Sequence, residues 1–144
     1  MNNVLLEKII TIKNKKGDIK KLINKNDTNY FGFGELYLTY CNFDEVKAWK
    51  KHKKMFSNLI ILKGKMKIVI HNENYQNENS SKYNEYILSE KKMSKLTIPP
   101  NLWFGFKGLN KTSNCILNFA NMIHEDREVL TKKINRFDYD WNKF

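Results

Sequence analysis

The sequence is short of cysteine, of acidic residues and of long hydrophobic runs. Its two cysteines, Cys41 and Cys115, belong to no C-x-x-C motif, so we expect reduced core thiols of a cytosolic protein and neither a disulfide framework nor a zinc site. No apolar run approaches the ~20 residues of a membrane helix. The start, MNNVLLEKII, lacks a basic stretch followed by a long apolar one, so we expect no signal peptide. These features predict a cytoplasmic protein that binds no membrane.

Acidic residues number 15 against 26 lysines and arginines, which gives a formal net charge of +11. Such a charge suits a polyanionic partner: nucleic acid, a membrane surface or a phosphate-bearing small molecule. Lysine and asparagine are spread over the whole chain, however, so the charge alone does not identify the partner. A hydrophobic content of 41% argues against general disorder, and 144 residues predict a single domain, 1–144.

What the sequence contains is a series of short runs with β-branched or aromatic residues at near two-residue spacing. They lie at 6–13, 18–24, 34–41, 57–63, 65–71, 84–89, 94–99 and 114–120. The segments NKKGD at 14–18 and LKGK at 62–65 predict hairpin turns in which glycine adopts a positive φ. This pattern predicts an all-β sandwich or barrel of the jelly-roll type.

Two further segments are interpreted from their composition. The polar stretch 71–85 predicts an exposed loop between strands. The stretch HEDREVLTKK at 124–133 is acidic at its start and basic at its end, as the helix dipole favours. It predicts a short C-terminal helical segment within a tail that spans 121–144.

Both prolines lie side by side in TIPPNLWFGFKGLN, residues 97–110, directly before an aromatic run. Two interpretations fit this stretch. It is either a turn into an ordinary core strand, or a sharply turned strand end that lays Trp103, Phe104 and Phe106 along the mouth of a pocket. The stretch alone does not decide between them.

A second stretch, VKAWKKHKKM at 46–55, carries the candidate proton-transfer groups. Side chains alternate along a strand, so Lys50 and His52 should share a face with Ala48, while Trp49 and Lys51 face the other way. On an inward face, a histidine beside lysines would have a lowered pKa and could transfer protons. The alternative is a solvent-exposed histidine in a basic edge strand.

The order of GELYLTY, VKAWKKHKK, KGKMKIVI, IPPNLWFGFKGL and the terminal YDW resembles the dTDP-4-dehydrorhamnose 3,5-epimerases. It is more closely similar to short epimerase-like cupins encoded with surface-polysaccharide genes, from about Phe33 to Trp141. The resemblance implies a cupin jelly roll and a homodimer that exchanges N-terminal strands, here within residues 1–30. It also implies nucleotide-diphospho-4-keto-6-deoxy sugar substrates, epimerised by proton abstraction next to the keto group without metal or organic cofactor.

Several residues match the family pattern. Lys47 stands where the epimerases have an arginine beside the sugar–phosphate site. Trp103 and the turn at Pro99 and Pro100 match the family's pocket-edge element, which favours the pocket interpretation of that stretch. His52 matches the second histidine of a W-H-x-H motif, and also of the H-x-H pair in the related nucleotide-sugar 3,4-ketoisomerases.

Other positions depart from the family. The base histidine of the epimerases falls on Lys50. Their tyrosine acid falls near Leu117 or Asn118, and the aspartate that orients the histidine falls near Ile134 or Asn135. Lys50 could act as a base of depressed pKa or stabilise an enolate as an ammonium, but we expect ordinary 3,5-epimerase activity to be weak or absent.

The same positions argue against a metal. Metal-binding cupins use an H-x-H pair, a glutamate and a further histidine. Lys50 replaces the first histidine with an ammonium, which repels a cation, and Phe104 replaces the last one. We therefore expect no metal and no cofactor.

Three functions compete. The first is an epimerase or isomerase, a 3,4-ketoisomerase included, that transfers protons through His52 and Lys50 on a nucleotide-linked keto sugar. The second is a non-catalytic nucleotide-sugar-binding cupin. The third is a nucleic-acid-binding protein, because YFGFGELYLTY resembles the aromatic strands of cold-shock domains. The chain is too long for such a domain, and the IPP and YDW elements would stay unexplained, so we favour the enzyme and expect no nucleic acid.

These inferences predict one pocket and one core. The residues that should line or rim the pocket are Lys47, Trp49, Lys50, His52, Trp103 and Phe104, with Asn118 reaching in from a later strand. The residues that should pack inward, or against the partner of a homodimer, are Ile60, Leu62, Ile68, Ile70, Ile116 and Phe119.

Overall fold

The computed structural model describes residues 3–74 and 82–143. These residues form twelve β-strands and one 3-10 helix, Ile134–Arg136. The strands are β1 (Leu5–Lys8), β2 (Ile10–Ile12), β3 (Ile19–Lys21), β4 (Glu35–Tyr40), β5 (Val46–His52), β6 (Ser57–Lys63), β7 (Lys65–His71), β8 (Tyr83–Ser89), β9 (Ser94–Ile98), β10 (Trp103–Gly108), β11 (Cys115–Ala120) and β12 (Val129–Thr131). No helix in the described ranges is long and apolar enough to cross a membrane.

Two five-stranded antiparallel sheets make up most of the fold. Sheet I has the strand order β1-β9-β6-β11-β4, and sheet II has the order β12-β5-β10-β7-β8. From β4 onward, the chain crosses from one sheet to the other at almost every connection, and the β7–β8 hairpin is the exception. Repeated crossing between two packed antiparallel sheets is jelly-roll topology. The predicted all-β cupin jelly roll is therefore confirmed.

The core lies between the two sheets. Of the residues predicted to pack there, Ile68, Ile70 and Ile116 belong to this cluster. Ile60 is fully buried but alternates with the inward Leu59 and Ile61, so it lies on the other face of sheet I. Leu62 and Phe119 are half-buried on that same outer face. Whether a partner protomer covers this outer face stays a prediction.

The predicted helix at 124–133 is wrong. Its second half is the strand β12, which pairs with β5 so that Val129 lies opposite His52. The amide of Lys53 also donates to the carbonyl of Glu128. The edge of β5 thus supplies tertiary backbone partners to this segment, and these outweigh the weak helical preference of its charge gradient. In the described tail, the only helical turn is the 3-10 helix at Ile134–Arg136.

The two predicted glycine turns have different outcomes. The turn at 14–18 is a hairpin, because β2 pairs with β3 and Gly17 adopts a φ of 134°. Gly64 also has a positive φ, 81°, but it joins β6 of sheet I to β7 of sheet II, so the predicted hairpin at 62–65 is wrong. A Cβ at Gly64 would lie 2.1 Å from the carbonyl oxygen of Ser113, so this crossover needs glycine for space as well as for its φ.

The predicted loop at 71–85 is shorter than expected. Strand β7 extends through His71, and β8 begins at Tyr83. Residues 75–81, the middle of the predicted loop, lie outside the described residues. The two cysteines, Cys41 and Cys115, are free and buried.

The proline pair ends one sheet and leads into the other. Strand β9 of sheet I ends at Ile98, and Pro100 and Asn101 form a turn before β10 of sheet II. Asn101 has a φ of 70°, a conformation that asparagine tolerates better than most residues. Its amide donates to the carbonyl of His52 at 2.7 Å, which fixes the start of β10 against the end of β5.

Candidate active site

A cavity of about 380 Å³ opens between the two sheets. Sheet I contributes side chains from β4, β6 and β11, and sheet II contributes side chains from β5, β10 and the end of β12. The lining residues are Tyr37, Thr39, Leu59, Ile116 and Asn118 on one side, and Lys47, Ala48, Trp49, Lys50, Phe104, Phe106, Thr131 and Lys132 on the other. A cavity of this size, apolar in the main with a few polar groups, is typical of a small-molecule site.

A β-bulge brings two lysines of β5 to the cavity. Phe104 lies opposite Lys50, whereas Phe106 lies opposite Lys47, so three steps on β5 match two steps on β10. Simple alternation would have sent Lys47 and Lys50 to opposite faces; the extra residue places them on one. Gly105 permits the bulge, because a Cβ there would lie 2.4 Å from the Cβ of Ala48.

Lys50 is half-buried in the cavity wall. In the described part of the chain, its ammonium has no hydrogen-bond or ion-pair partner. Burial lowers its pKa, and the charge of Lys47 lowers it further, while the more distant Glu128 opposes the shift. Lys50 is therefore easier to deprotonate than an ordinary lysine.

His52 is held by a carboxylate that the sequence pattern did not reveal. Its Nδ1 lies 2.7 Å from Oε2 of Glu128, and both side chains are buried. The other oxygen, Oε1, accepts the amides of Lys54 at 2.8 Å and Met55 at 2.9 Å. Burial would raise the pKa of Glu128, but these amides and His52 hold it below its usual value. Glu128 is thus an ionised, fixed acceptor.

This contact determines which nitrogen of His52 carries the proton. An ionised carboxylate only accepts, so Nδ1 must be the donor and Nε2 keeps its lone pair. Burial lowers the pKa of His52, and the hydrogen bond that Nδ1 donates to Glu128 only partly offsets that shift. Within the described residues, Nε2 has no hydrogen-bond partner. A neutral imidazole with a free, oriented lone pair is suited to act as a general base.

Tyr37 and Asn118 form the opposite wall. They lie directly across from each other on β4 and β11, and Asn118 Nδ2 donates to the hydroxyl oxygen of Tyr37 at 2.7 Å. Burial raises the pKa of Tyr37, so its hydroxyl keeps its proton. The sequence interpretation missed Tyr37: the alternation in GELYLTY separates it from Leu36 and Leu38, but nothing in that pattern chooses which face is inward.

Five of the seven predicted site residues border the cavity: Lys47, Trp49, Lys50, Phe104 and Asn118. The side chain of Trp49, however, is buried in the aromatic cluster on the outer face of sheet II. His52 does not line the cavity, but its ring stacks on that of Phe104 with 6.0 Å between centroids. Trp103 is placed elsewhere. It lies on the outer face of sheet II in an aromatic cluster with Trp49 and Trp141, because it precedes the inward Phe104 by one residue.

The charge of the cavity wall is positive. Lys47 and Lys50 turn their side chains towards it, and no aspartate or glutamate lines it among the described residues. Lys132 also borders the cavity, but its ammonium lies on the outer face of sheet II, 4.7 Å from the ring centroid of Trp103 and 3.5 Å from Glu73. Such a wall can bind a phosphate-bearing ligand. Within residues 3–74 and 82–143, no three histidine, cysteine, aspartate or glutamate side chains come together as a metal site would need.

Comparisons with solved structures agree with this architecture. A dTDP sugar isomerase from Desulfovibrio desulfuricans superposes with a TM-score of 0.86 at 21% identity, over 96% of this chain and 90% of that one. A variant of the sugar 3,4-ketoisomerase from Thermoanaerobacterium thermosaccharolyticum, solved in complex with TDP-4-keto-6-deoxyglucose, gives 0.74 at 21% identity, over 90% and 88%. A dTDP-4-dehydrorhamnose 3,5-epimerase from Elizabethkingia anophelis gives 0.82 at 12% identity, over 98% and 82%.

No protein-family model matches the sequence, and no curated protein matches it. The structural matches nevertheless cover nearly the whole of both chains, so the likeness concerns the complete jelly roll and not a shared fragment. The chain therefore has the fold of the dTDP-sugar epimerases and isomerases of the cupin type, as its sequence motifs predicted.

Proposed function

We propose that the protein is an epimerase or isomerase that acts by proton transfer on a nucleotide-diphospho-4-keto-6-deoxy sugar. The observation that carries this proposal is the buried His52–Glu128 pair, 2.7 Å apart, which leaves a buried, unpartnered Nε2 in a ring that stacks on Phe104, a wall residue of the cavity lined by Lys47 and Lys50. The cytoplasm and surface-polysaccharide biosynthesis, which the sequence motifs imply, are the setting we propose for it.

The structural neighbours support this substrate class. One of them, the 3,4-ketoisomerase variant, was solved with TDP-4-keto-6-deoxyglucose, and another is in complex with dTDP-quinovose. A hexose ring fits a cavity of about 380 Å³, with the diphosphate and nucleoside extending from its mouth. We assign the diphosphate to Lys47, because it is a cation of the wall and is exposed at its rim.

Proton transfer next to a ketone needs a base and a donor for the developing enolate oxygen. We assign the base to His52 Nε2, oriented by Glu128, and the donor to the hydroxyl of Tyr37. The negative charge of Glu128 raises the pKa of Lys50 and of Tyr37, and partly offsets the lowering of the pKa of His52. The family's tyrosine acid would fall near Asn118 and its histidine-orienting aspartate near Asn135, and this chain has neither residue there. We assign the role of the acid to Tyr37 and the role of the orienting carboxylate to Glu128. We therefore propose an active enzyme.

Solvent exchange tests the proposal directly. The purified protein is incubated in deuterated water with dTDP-4-keto-6-deoxyglucose, and separately with its UDP- and GDP-linked counterparts. We expect deuterium at a carbon next to the keto group, detected by mass spectrometry and NMR, and none with dTDP-glucose, which has no keto group to acidify its neighbours. His52→Asn should abolish the exchange.

The competing function is a nucleotide-sugar-binding protein without catalysis. Tight binding of a keto sugar by calorimetry, together with no deuterium incorporation from any of the three nucleotides, would establish that function and overturn ours. Absence of both binding and exchange would overturn both.

We further propose a homodimer, with the contact made by strands within residues 1–30. Ile10, Ile12 and Ile19 form one exposed face of the β2–β3 hairpin, which pairs with no other strand among the described residues. A two-stranded sheet is marginally stable alone, so we expect a second copy of the chain to cover this face. Sedimentation velocity should give a dimer, and Ile12→Lys should shift it towards monomer. A monomeric wild type would contradict the proposal.

A further inference from the structure

We propose that Lys50 is a nucleophile that captures the keto group of the bound sugar as an imine. The proposal rests on the proposed function, because the carbonyl belongs to the keto sugar assigned above. It gives Lys50 a covalent role, distinct from that of a proton-transferring base or an ammonium that stabilises an enolate.

The first argument is the contrast between Lys50 and the buried lysines of this chain. Lys67 donates to two backbone carbonyls, Lys95 is paired with Asp27 at 3.0 Å, and Lys107 is paired with Asp44 at 2.7 Å. Lys50, half-buried, lines a cavity and has no partner in the described ranges; Lys47, which lines the same cavity, is exposed to solvent. A lysine tied to a carboxylate or carbonyls is held as an ammonium, whereas one without such a partner can release its proton and attack a carbonyl.

The second argument is the surroundings of the amine. The apolar side chains that share the cavity wall with Lys50 are Leu59, Phe104, Phe106 and Ile116. Such a wall disfavours an ammonium, and it also favours the loss of water that converts a carbinolamine to an imine. Lys47, brought to the same face by the bulge, repels a second positive charge. Both effects act in the direction of the lowered pKa of Lys50.

The third argument is that the proton donor Tyr37 lines the same cavity, while the base His52 stacks on Phe104 of its wall. The neutral Nζ attacks the keto carbon; the C–N bond forms as the second C–O bond breaks, and the oxygen takes a proton from the Tyr37 hydroxyl. The carbinolamine nitrogen is then positively charged, and one of its protons leaves with the hydroxyl as water, which gives the iminium. Hydrolysis of the iminium at the end of the cycle returns the proton to Tyr37. His52 Nε2 removes the proton on the neighbouring carbon, and the electron pair moves to nitrogen to form an enamine.

The cycle closes without an oxidant or a second reactant. Return of a proton to the enamine carbon, from either face, gives back an iminium, and water hydrolyses it to the ketone and free Lys50. The iminium withdraws electrons from the neighbouring carbon more strongly than a ketone does. It therefore assists an imidazole base without any metal ion.

Reductive trapping tests the inference. The protein is incubated near neutral pH with dTDP-4-keto-6-deoxyglucose and sodium cyanoborohydride, which reduces an iminium much faster than a ketone. We expect intact-mass spectrometry to show one covalent adduct per chain, peptide mapping to place it on Lys50, and activity to be lost as it forms. Lys50→Met and Lys50→Arg should give no adduct, since a guanidinium is not a nucleophile here.

Lys51→Met is the matched control, because Lys51 is the next residue on β5 but lies on the outer face, where it pairs with Glu73 at 2.7 Å. It should still form the adduct. Deuterium exchange by the wild type without any adduct would overturn the imine and leave the proposed function intact. An adduct that maps to another lysine would also overturn it. No adduct, no exchange and no binding would overturn both proposals.

Discussion

The two faces of sheet II each bury a histidine and a lysine, but they treat these side chains differently. On the outer face, His71 Nδ1 contacts the carbonyl of Lys82 at 3.2 Å, and Lys67 donates to the carbonyls of Trp141 and Lys143. The aromatic C-terminal tail covers both. On the inner face, neither His52 Nε2 nor the ammonium of Lys50 has a partner among the described residues, and Lys50 lines a cavity.

The presence or absence of compensating partners distinguishes structural from functional polar groups in this β-sandwich. A buried lysine costs free energy unless its charge is satisfied, and Lys67 is satisfied by carbonyls and by the rings of Tyr139 and Trp141. Lys50 has no such compensation. Its cost is explained if the compensating partner is a ligand, which is the general mark of a functional site.

The largest expected effect is on the rate of solvent exchange, which should depend on His52 and not on His71. In Glu128→Gln, the amide group would donate to Nδ1 of His52, which moves the imidazole proton to Nε2 and removes the base. We expect the rate of solvent exchange into the keto sugar to fall about 10²- to 10⁴-fold, while the chain stays folded. His71→Asn, the control on the outer face, should leave the rate unchanged. Equal losses in both variants would contradict the assignment of His52.

The next effect concerns the proton donor on the opposite wall. Tyr37→Phe removes the hydroxyl that receives the 2.7 Å hydrogen bond from Asn118 and leaves the aromatic ring in place. Loss of one donor to a developing oxyanion lowers kcat about 10²- to 10³-fold. We expect that loss in kcat for the exchange reaction, with a much smaller change in KM. Tyr40→Phe, an exposed tyrosine on the same strand that faces outward, is the control. An unchanged kcat in Tyr37→Phe would remove Tyr37 from the mechanism.

Much of the fold could be predicted from the sequence, because the strands alternate regularly. Met66, Ile68 and Ile70 on β7 all face the core, and such two-residue spacing is a local signal. The site could be predicted only in part. The position of Lys47 depends on a bulge that exists because Gly105 lies opposite Ala48, a contact between strands that are far apart in sequence.

The carboxylate partner of His52 also could not be predicted from the sequence. Glu128 is 76 residues away along the chain and lies in a segment whose charge gradient favours a helix. Its carboxylate is buried because it caps the amides of Lys54 and Met55, and this arrangement appears only when β12 pairs with β5. Local sequence carries no signal for such a tertiary contact.

The third prediction compares how Lys67 and Lys50 contribute to the stability of the fold. Lys67→Met removes the donor to the carbonyls of Trp141 and Lys143 and leaves Trp141 only the longer contact from Lys107 at 3.4 Å, so we expect the free energy of unfolding in urea to fall by about 1–3 kcal/mol. Lys50→Met removes an unsatisfied, half-buried cation and should leave stability unchanged or raise it, while exchange activity is lost. A larger destabilisation in Lys50→Met than in Lys67→Met would show that Lys50 has a structural partner in solution.

The smallest expected effect is on the pH dependence of stability, to which His52 and His71 should contribute in the same direction. Burial lowers the pKa of both His52 and His71 below 6.5, so the unfolded chain binds protons that the folded chain does not. Stability is therefore fully present above pH 6.5 and decreases as the pH falls from 6.5 towards the lowered values, by at most about 1.4 kcal/mol per pH unit for each histidine.

Urea unfolding at a series of pH values from neutral to mildly acidic measures this slope. His52→Asn and His71→Asn should each reduce it, whatever their effect on absolute stability, because each removes one group with a lowered pKa. Only His52→Asn should also abolish exchange. If His71→Asn left the slope unchanged, His71 would titrate normally in the folded protein, and the two faces of sheet II would differ in burial as well as in the partners they offer.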